Sequence, residues 1–112
     1  MTIKEIRDIL AAQTLVGEDL LDNVVHTACA ADMMSDVLAY GHHCSILLTG
    51  LCNPQVVRTA EMLDILCLVF VRNKMPDAKT LELAKTKGIV VLSTPILMFQ
   101  ACGLLYEKGL IG

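Results

Sequence analysis

The chain has 112 residues, 54% of them apolar, with 4% aromatic residues and a formal charge of −3. This length fits one domain with one real core, and the acidic balance, scattered lysines (Lys79, Lys85, Lys87) and scarce aromatics exclude a nucleic-acid-binding surface. An apolar fraction above the usual level for so small a chain predicts apolar surface left over after folding, and its simplest outlet is a subunit interface.

The predicted elements run as follows. Thr2 and Glu5 have the spacing of a capping box, and Ile3, Ile6, Ile9 and Leu10 recur at helical spacing, which predicts a helix near residues 3–12. Leu15-Val16 reads as a short extended piece before a Gly17-Glu18-Asp19 turn. A second extended stretch runs from Val24 to Ala30, and a helix from Asp32 to Tyr40 stops at Gly41. Cys44 to Thr49 is an apolar strand. Asn53 then caps a helix that begins at Pro54, the position where a missing N–H costs nothing. Ile65 to Val71 is apolar throughout, the mark of a central strand buried on both faces. After the loop Arg72–Asp77, a helix runs to Lys87 and stops at Gly88. Ile89 to Leu92 is a further strand, and Ser93-Thr94-Pro95 is expected to open a last helix ending near Gly109. The longest apolar stretch, Ile89 to Tyr106, is broken by Pro95 and does not read as a membrane span. The first residues carry charge and no long apolar run, so they do not read as a targeting segment.

Strand–helix alternation three times over implies parallel strands joined by crossovers, an α/β fold in layers. In such a sheet ligands bind at the carboxyl ends of the strands. Here those ends carry Thr49, Asn53, Arg72, Asn73, Ser93 and Thr94, beside helix amino termini whose free N–H groups suit an anion. The competing reading is that Asn53 and Thr94 only cap helices and that Arg72 makes a surface ion pair.

Five cysteines (Cys29, Cys44, Cys52, Cys67, Cys102), an odd number without a framework, point to reduced thiols in a cytoplasmic setting. Cys67 and Cys102 read as core. His26, His42, His43, Cys44 and Cys52 are metal-ligand types, but their spacing matches no zinc pattern, and no metal or cofactor is expected. Ser93 and Cys52 are conceivable nucleophiles with no base beside either, and no phosphate-binding or nucleophile-elbow motif occurs, so an enzyme is not expected. Met33, Met34, Met62, Met75 and Met98 could form an adaptable protein-binding surface, although Met62 and Met98 read as core by helical spacing.

Several pieces in order resemble the DRTGG domain, which is also similar to the amino-terminal domain of HPr kinase/phosphorylase. They are Gly17 to Asp22, Ala31 to Leu38 with its Ser35-Asp36-Val37-Leu38, and the helix-opening Asn53-Pro54. Further on come Met75-Pro76-Asp77, Lys87-Gly88-Ile89, Leu92 to Pro95, Phe99 and Leu104 to Glu107. The family's signature falls near Asp22, His26 and Thr27, where the arginine and the glycine pair are replaced. The resemblance covers residues 1–112 as one domain. It implies a three-layer α/β/α fold with a mainly parallel sheet, and a homodimeric, non-catalytic regulatory role. A ligand would be a phosphorylated metabolite or nucleotide. The other role it implies is that of an accessory or scaffold protein for a bacterial metabolic or hydrogenase-linked redox enzyme.

Overall fold

A computed structural model describes residues 1–112. The first helix, α1 (Ile3–Ile9), begins at the expected capping box: the Thr2 hydroxyl accepts from the Glu5 amide and the Glu5 carboxylate from the Thr2 amide. The extended piece near Leu15 is strand β1 (Gln13–Val16), and a short 3₁₀ turn over Glu18–Leu20 follows it. Next come β2 (Ala28–Ala30), α2 (Met34–Tyr40), β3 (Ile46–Thr49) and α3 (Pro54–Met62). The chain closes with β4 (Cys67–Phe70), α4 (Ala78–Lys87), β5 (Val90–Ser93) and α5 (Met98–Glu107).

All five strands enter one sheet in the order β1-β5-β4-β3-β2. β2, β3, β4 and β5 are parallel, and β1 is antiparallel to β5 at one edge. β3, β4 and β5 are buried at every position because both faces are covered. Alternation along each strand splits the core in two. Ile46, Leu48, Cys67, Val69, Val90 and Leu92 pack with Ile3 and Ile6 of α1 and Ala101 and Leu105 of α5. Leu47, Leu68, Phe70 and Val91 face the other way, onto Val37 of α2, Val56 and Ala60 of α3, and Ala84 of α4. This is the expected three-layer α/β/α arrangement with a mainly parallel sheet.

Two expectations fail. The last helix begins at Met98, with Leu97 as its cap residue, and not at Ser93-Thr94-Pro95. Ser93 is the last residue of β5, and Thr94 is drawn inward by a hydrogen bond to α1. Met62 is not core: it is 69% exposed at the end of α3, whose buried side is carried by Val56, Val57, Thr59 and Ala60. No helix is long and apolar enough to cross a membrane.

Candidate functional site at the carboxyl edge of the sheet

The parallel strands end together at Ala30, Thr49, Phe70 and Ser93, and the loops that follow form one edge. Asp32, just beyond β2, accepts from the Gly50 amide at 2.7 Å and from the Thr49 hydroxyl at 3.3 Å. The loop after β3 is thereby tied to the loop after β2. Thr49 is fully buried, and its oxygen also accepts from the Leu51 amide. Asn53 accepts from the Gln55 amide and caps α3. Ser93 is buried, and its hydroxyl donates to the Lys74 carbonyl at 2.9 Å. Thr94 is fully buried; its hydroxyl donates to the Leu10 carbonyl at 2.6 Å and accepts from the Ile96 amide. Each of these four expected site residues is therefore bonded within the chain.

Arg72 and Asn73 are different. Both are exposed and both have left-handed backbones, with φ of 59° and 61°. An arginine in that region carries a conformational cost of roughly 1–2 kcal/mol. It is held there because both amides are bonded to the neighbouring loop, Arg72 to the Ile96 carbonyl at 3.0 Å and Asn73 to the Thr94 carbonyl at 2.8 Å. The turn throws the Arg72 side chain back across the edge, where its guanidinium covers Gly50 so closely that a Cβ there would collide with Nη2. Arg72 takes part in none of the chain's three ion pairs, so its charge is not neutralised by the surface pair that the competing reading required.

Cys52 completes the cluster. Burial pushes its thiol up, the positive charges of Lys74 and Arg72 act against that, and Asp32 adds to it. Asp32, Gly50, Cys52 and Lys74 were not among the residues expected to form the site. A carboxylate one or two residues past a parallel strand and a glycine at the end of the next strand were the available signals. Two cations, Asn73 and a cap-bearing helix start can hold an anion here, with the Asp32 carboxylate, committed to the Gly50 amide and the Thr49 hydroxyl, beside them.

The signature-like residues lie elsewhere. Asp22 and His26 are exposed, and Thr27 precedes β2, at the amino end of the sheet. The Thr27 hydroxyl donates to the His43 carbonyl, and its own carbonyl accepts from Ser45 and Ile46. His42 and His43 are exposed at that same end. No three of the chain's His, Cys, Asp and Glu residues gather where they could hold a metal ion. All five cysteines are free. Cys67 is fully buried and Cys102 half-buried against the first core cluster, which agrees with a packing role. Burial and a neighbouring Cys44 push the Cys29 thiol up to about 12.

A cleft of about 230 Å³ opens between β2 and α5, lined by Ala28, Ala30, Leu48, Cys102, Leu105 and Leu110 among others. It holds no charged side chain, so it suits an apolar group and not an anion.

No protein-family model and no curated protein matches the chain. Among solved structures, it is similar to the CBS and DRTGG domains of the regulatory region of Clostridium perfringens pyrophosphatase, in a complex with the activator diadenosine tetraphosphate. The TM-score is 0.72 at 21% identity, over 96% of this chain and 46% of that one. The fold is DRTGG-like. This chain spans about 46% of the length of the regulatory-region structure that it matches. Most of the sequence pieces that carry the resemblance lie at element boundaries. Gly88 ends α4 with a left-handed φ of 69°, Asp77 caps it through the Thr80 amide, and Asn53-Pro54 opens α3.

Proposed function

We propose that the chain is a non-catalytic, homodimeric regulatory module that senses a phosphate-bearing metabolite or nucleotide at the carboxyl ends of its strands. The observation that carries this reading is the strained Arg72-Asn73 turn, which presents an unpaired guanidinium beside Lys74 at the one edge where parallel strands end. Strain held at an exposed cation suits a group kept in place for a ligand. The DRTGG-like fold supports it further, because the similar structure is a regulatory region with a nucleotide activator. A non-catalytic role fits the carboxyl edge, where the Ser93 hydroxyl is committed to a carbonyl and the Cys52 thiol is pushed up. The five free thiols suit the reducing cytoplasm.

Calorimetric titration with diadenosine tetraphosphate, ATP and inorganic phosphate tests the reading. Binding of a phosphate compound is expected, and Arg72→Ala should weaken it by about 10- to 100-fold, the worth of one charged hydrogen-bonding partner. Absence of binding by all three at millimolar concentration, or equal binding by the variant, overturns it.

A second reading is an accessory protein that docks a redox enzyme. Met33 and Met75, 64% and 57% exposed, flank the same edge and give an adaptable apolar rim. Its mark would be a defined partner complex that Met33→Ser and Met75→Ser together dissolve while the ligand titration stays silent.

A further inference from the structure

A carboxylate is out of place in a site for a bare anion, because like charges repel and an exposed edge screens that repulsion without removing it. Asp32 stands in such a place. It follows the last residue of β2 by two positions, and the charges of Lys74, Arg72 and Asp32 all bear on the Cys52 thiol. Gly50 lies between Asp32 and Arg72. A Cβ on Gly50 would collide with Nη2 of Arg72 and lie 3.4 Å from Oδ1 of Asp32. The guanidinium and the carboxylate thus flank one unsubstituted residue, yet they do not neutralise each other as an ion pair.

Holding the loops together uses only one oxygen of Asp32. The Gly50 amide and the Thr49 hydroxyl both donate to Oδ1, at 2.7 and 3.3 Å, and Oδ2 has no partner in the chain. An amide oxygen accepts the same two bonds, so the tie itself does not call for a charge. Asp32 is exposed, and an ionised carboxylate only accepts hydrogen bonds. The partners that suit Oδ2 are therefore donors. Nucleotide sites of open α/β sheets divide the work in this way: helix amino termini take phosphate, and a carboxylate takes a sugar hydroxyl.

We infer that the carboxyl edge is bipartite and that its ligand is a phosphate ester with free hydroxyls: Arg72 and Lys74 take the phosphate, and Oδ2 of Asp32 accepts from a hydroxyl. That hydrogen bond offsets the repulsion a bare phosphate meets. Asp32 is then the specificity-determining residue, which selects a nucleotide or sugar phosphate over inorganic phosphate. Gly50 is a positioning residue between the two halves, since the space left by its missing Cβ is where the guanidinium lies.

This selectivity rests on the anion-binding reading proposed above, and calorimetry on the full chain separates the two. ATP is compared with 2′,3′-dideoxy-ATP, ribose 5-phosphate with 2-deoxyribose 5-phosphate, and all four with inorganic phosphate. In at least one pair the hydroxylated ligand is expected to bind about 10-fold tighter, the worth of one hydrogen bond to a charged group. Which pair shows the preference tells a nucleotide from a free sugar phosphate. Asp32→Asn keeps an acceptor for Gly50 and Thr49 and removes the charge. It should erase the preference and tighten inorganic phosphate by about threefold to tenfold. A residue that only held the loop would move every ligand in the same direction. Equal binding within both pairs, with Arg72→Ala still weakening each ligand, overturns the hydroxyl half and leaves the anion reading standing. So does an Asp32→Asn that keeps the preference or weakens every ligand alike. Binding by none of these ligands at millimolar concentration overturns both. The wild-type comparison is decisive by itself if Asp32→Asn does not fold.

Discussion

The two ends of the parallel sheet are built from the same strands and differ in almost every other respect. At the amino end, Asp22, His26, His42 and His43 are exposed, the Thr27 hydroxyl donates to the His43 carbonyl, and the Ser45 hydroxyl accepts from the His26 amide. At the carboxyl end, Asp32, Thr49, Ser93 and Thr94 tie one loop to the next, and the loops converge on a strained turn that presents Arg72. The asymmetry follows from the crossover geometry: α3 and α4 begin at the carboxyl end, with Asn53 and Asp77 as caps, whereas of the helices described α1 begins toward the other end, where Thr2 and Glu5 close its capping box. The difference separates two kinds of polar residue. Those that hold the edge together are bonded within the chain and, Asp32 apart, buried, and those left for a ligand are the charges that the held loops project.

The sharpest way to break this division is to remove a residue that holds. Thr94→Val deletes a fully buried hydroxyl whose loss leaves the Leu10 carbonyl and the Ile96 amide without their partner. A buried donor or acceptor left unsatisfied costs about 1–3 kcal/mol. Urea denaturation should show a loss of about 2 kcal/mol. The phosphate-ligand affinity of the remaining folded protein should change far less than in Arg72→Ala. A neutral Thr94→Val would mean that the edge is not held from α1.

Removing a residue that projects should have the opposite sign. Arg72→Gly relieves a left-handed backbone at φ 59°, which glycine adopts freely, although glycine loses more entropy on folding. The net expectation is a gain of about 0.5 kcal/mol in the same denaturation experiment, together with loss of ligand affinity. Asn73 offers less, because asparagine tolerates this region better than arginine does. A destabilised Arg72→Gly would show that the guanidinium supports the fold, and would move it from the projecting group to the holding one.

Legibility in the sequence divides along similar lines. β3, β4 and β5 were readable because they are buried on both faces and so are apolar without interruption, and α3 and α4 because Asn53-Pro54 and Gly88 mark their ends. The last helix was placed three to five residues early, because Ser93-Thr94-Pro95 carries residue types that caps also use. Which of two roles a threonine takes is decided by a partner 84 positions away, the Leu10 carbonyl, and no local pattern encodes that. Arg72 and Asn73 were placed at the edge by strand position alone; their left-handed backbones and the guanidinium over Gly50 depend on the loop at 94–96. The exposed side of α5 carries Phe99 and Tyr106 among Gln100, Gly103 and Glu107, and the two rings are legible in the sequence only as part of the apolar surplus.

The smallest expected effect compares the two ends in acid. Glu5 closes the capping box of α1 toward the amino end, and Asp77 caps α4 at the carboxyl end. Backbone and side-chain hydrogen bonds from Thr2 hold the Glu5 carboxyl below its usual range, and those from Thr80 do the same for Asp77. A carboxylate held lower in the folded state contributes stability that is present above its unfolded value, near pH 4, and is lost as pH falls through the folded value. Urea midpoints should therefore be flat near neutrality and fall below about pH 4.5. Glu5→Gln and Asp77→Asn should each flatten that fall, because neither amide titrates there. Both groups are exposed, so the two ends should respond to a similar and small extent. An acid limb unchanged in both variants would assign the fall to other carboxylates, and a limb removed by one alone would show that its helix end is the first to open.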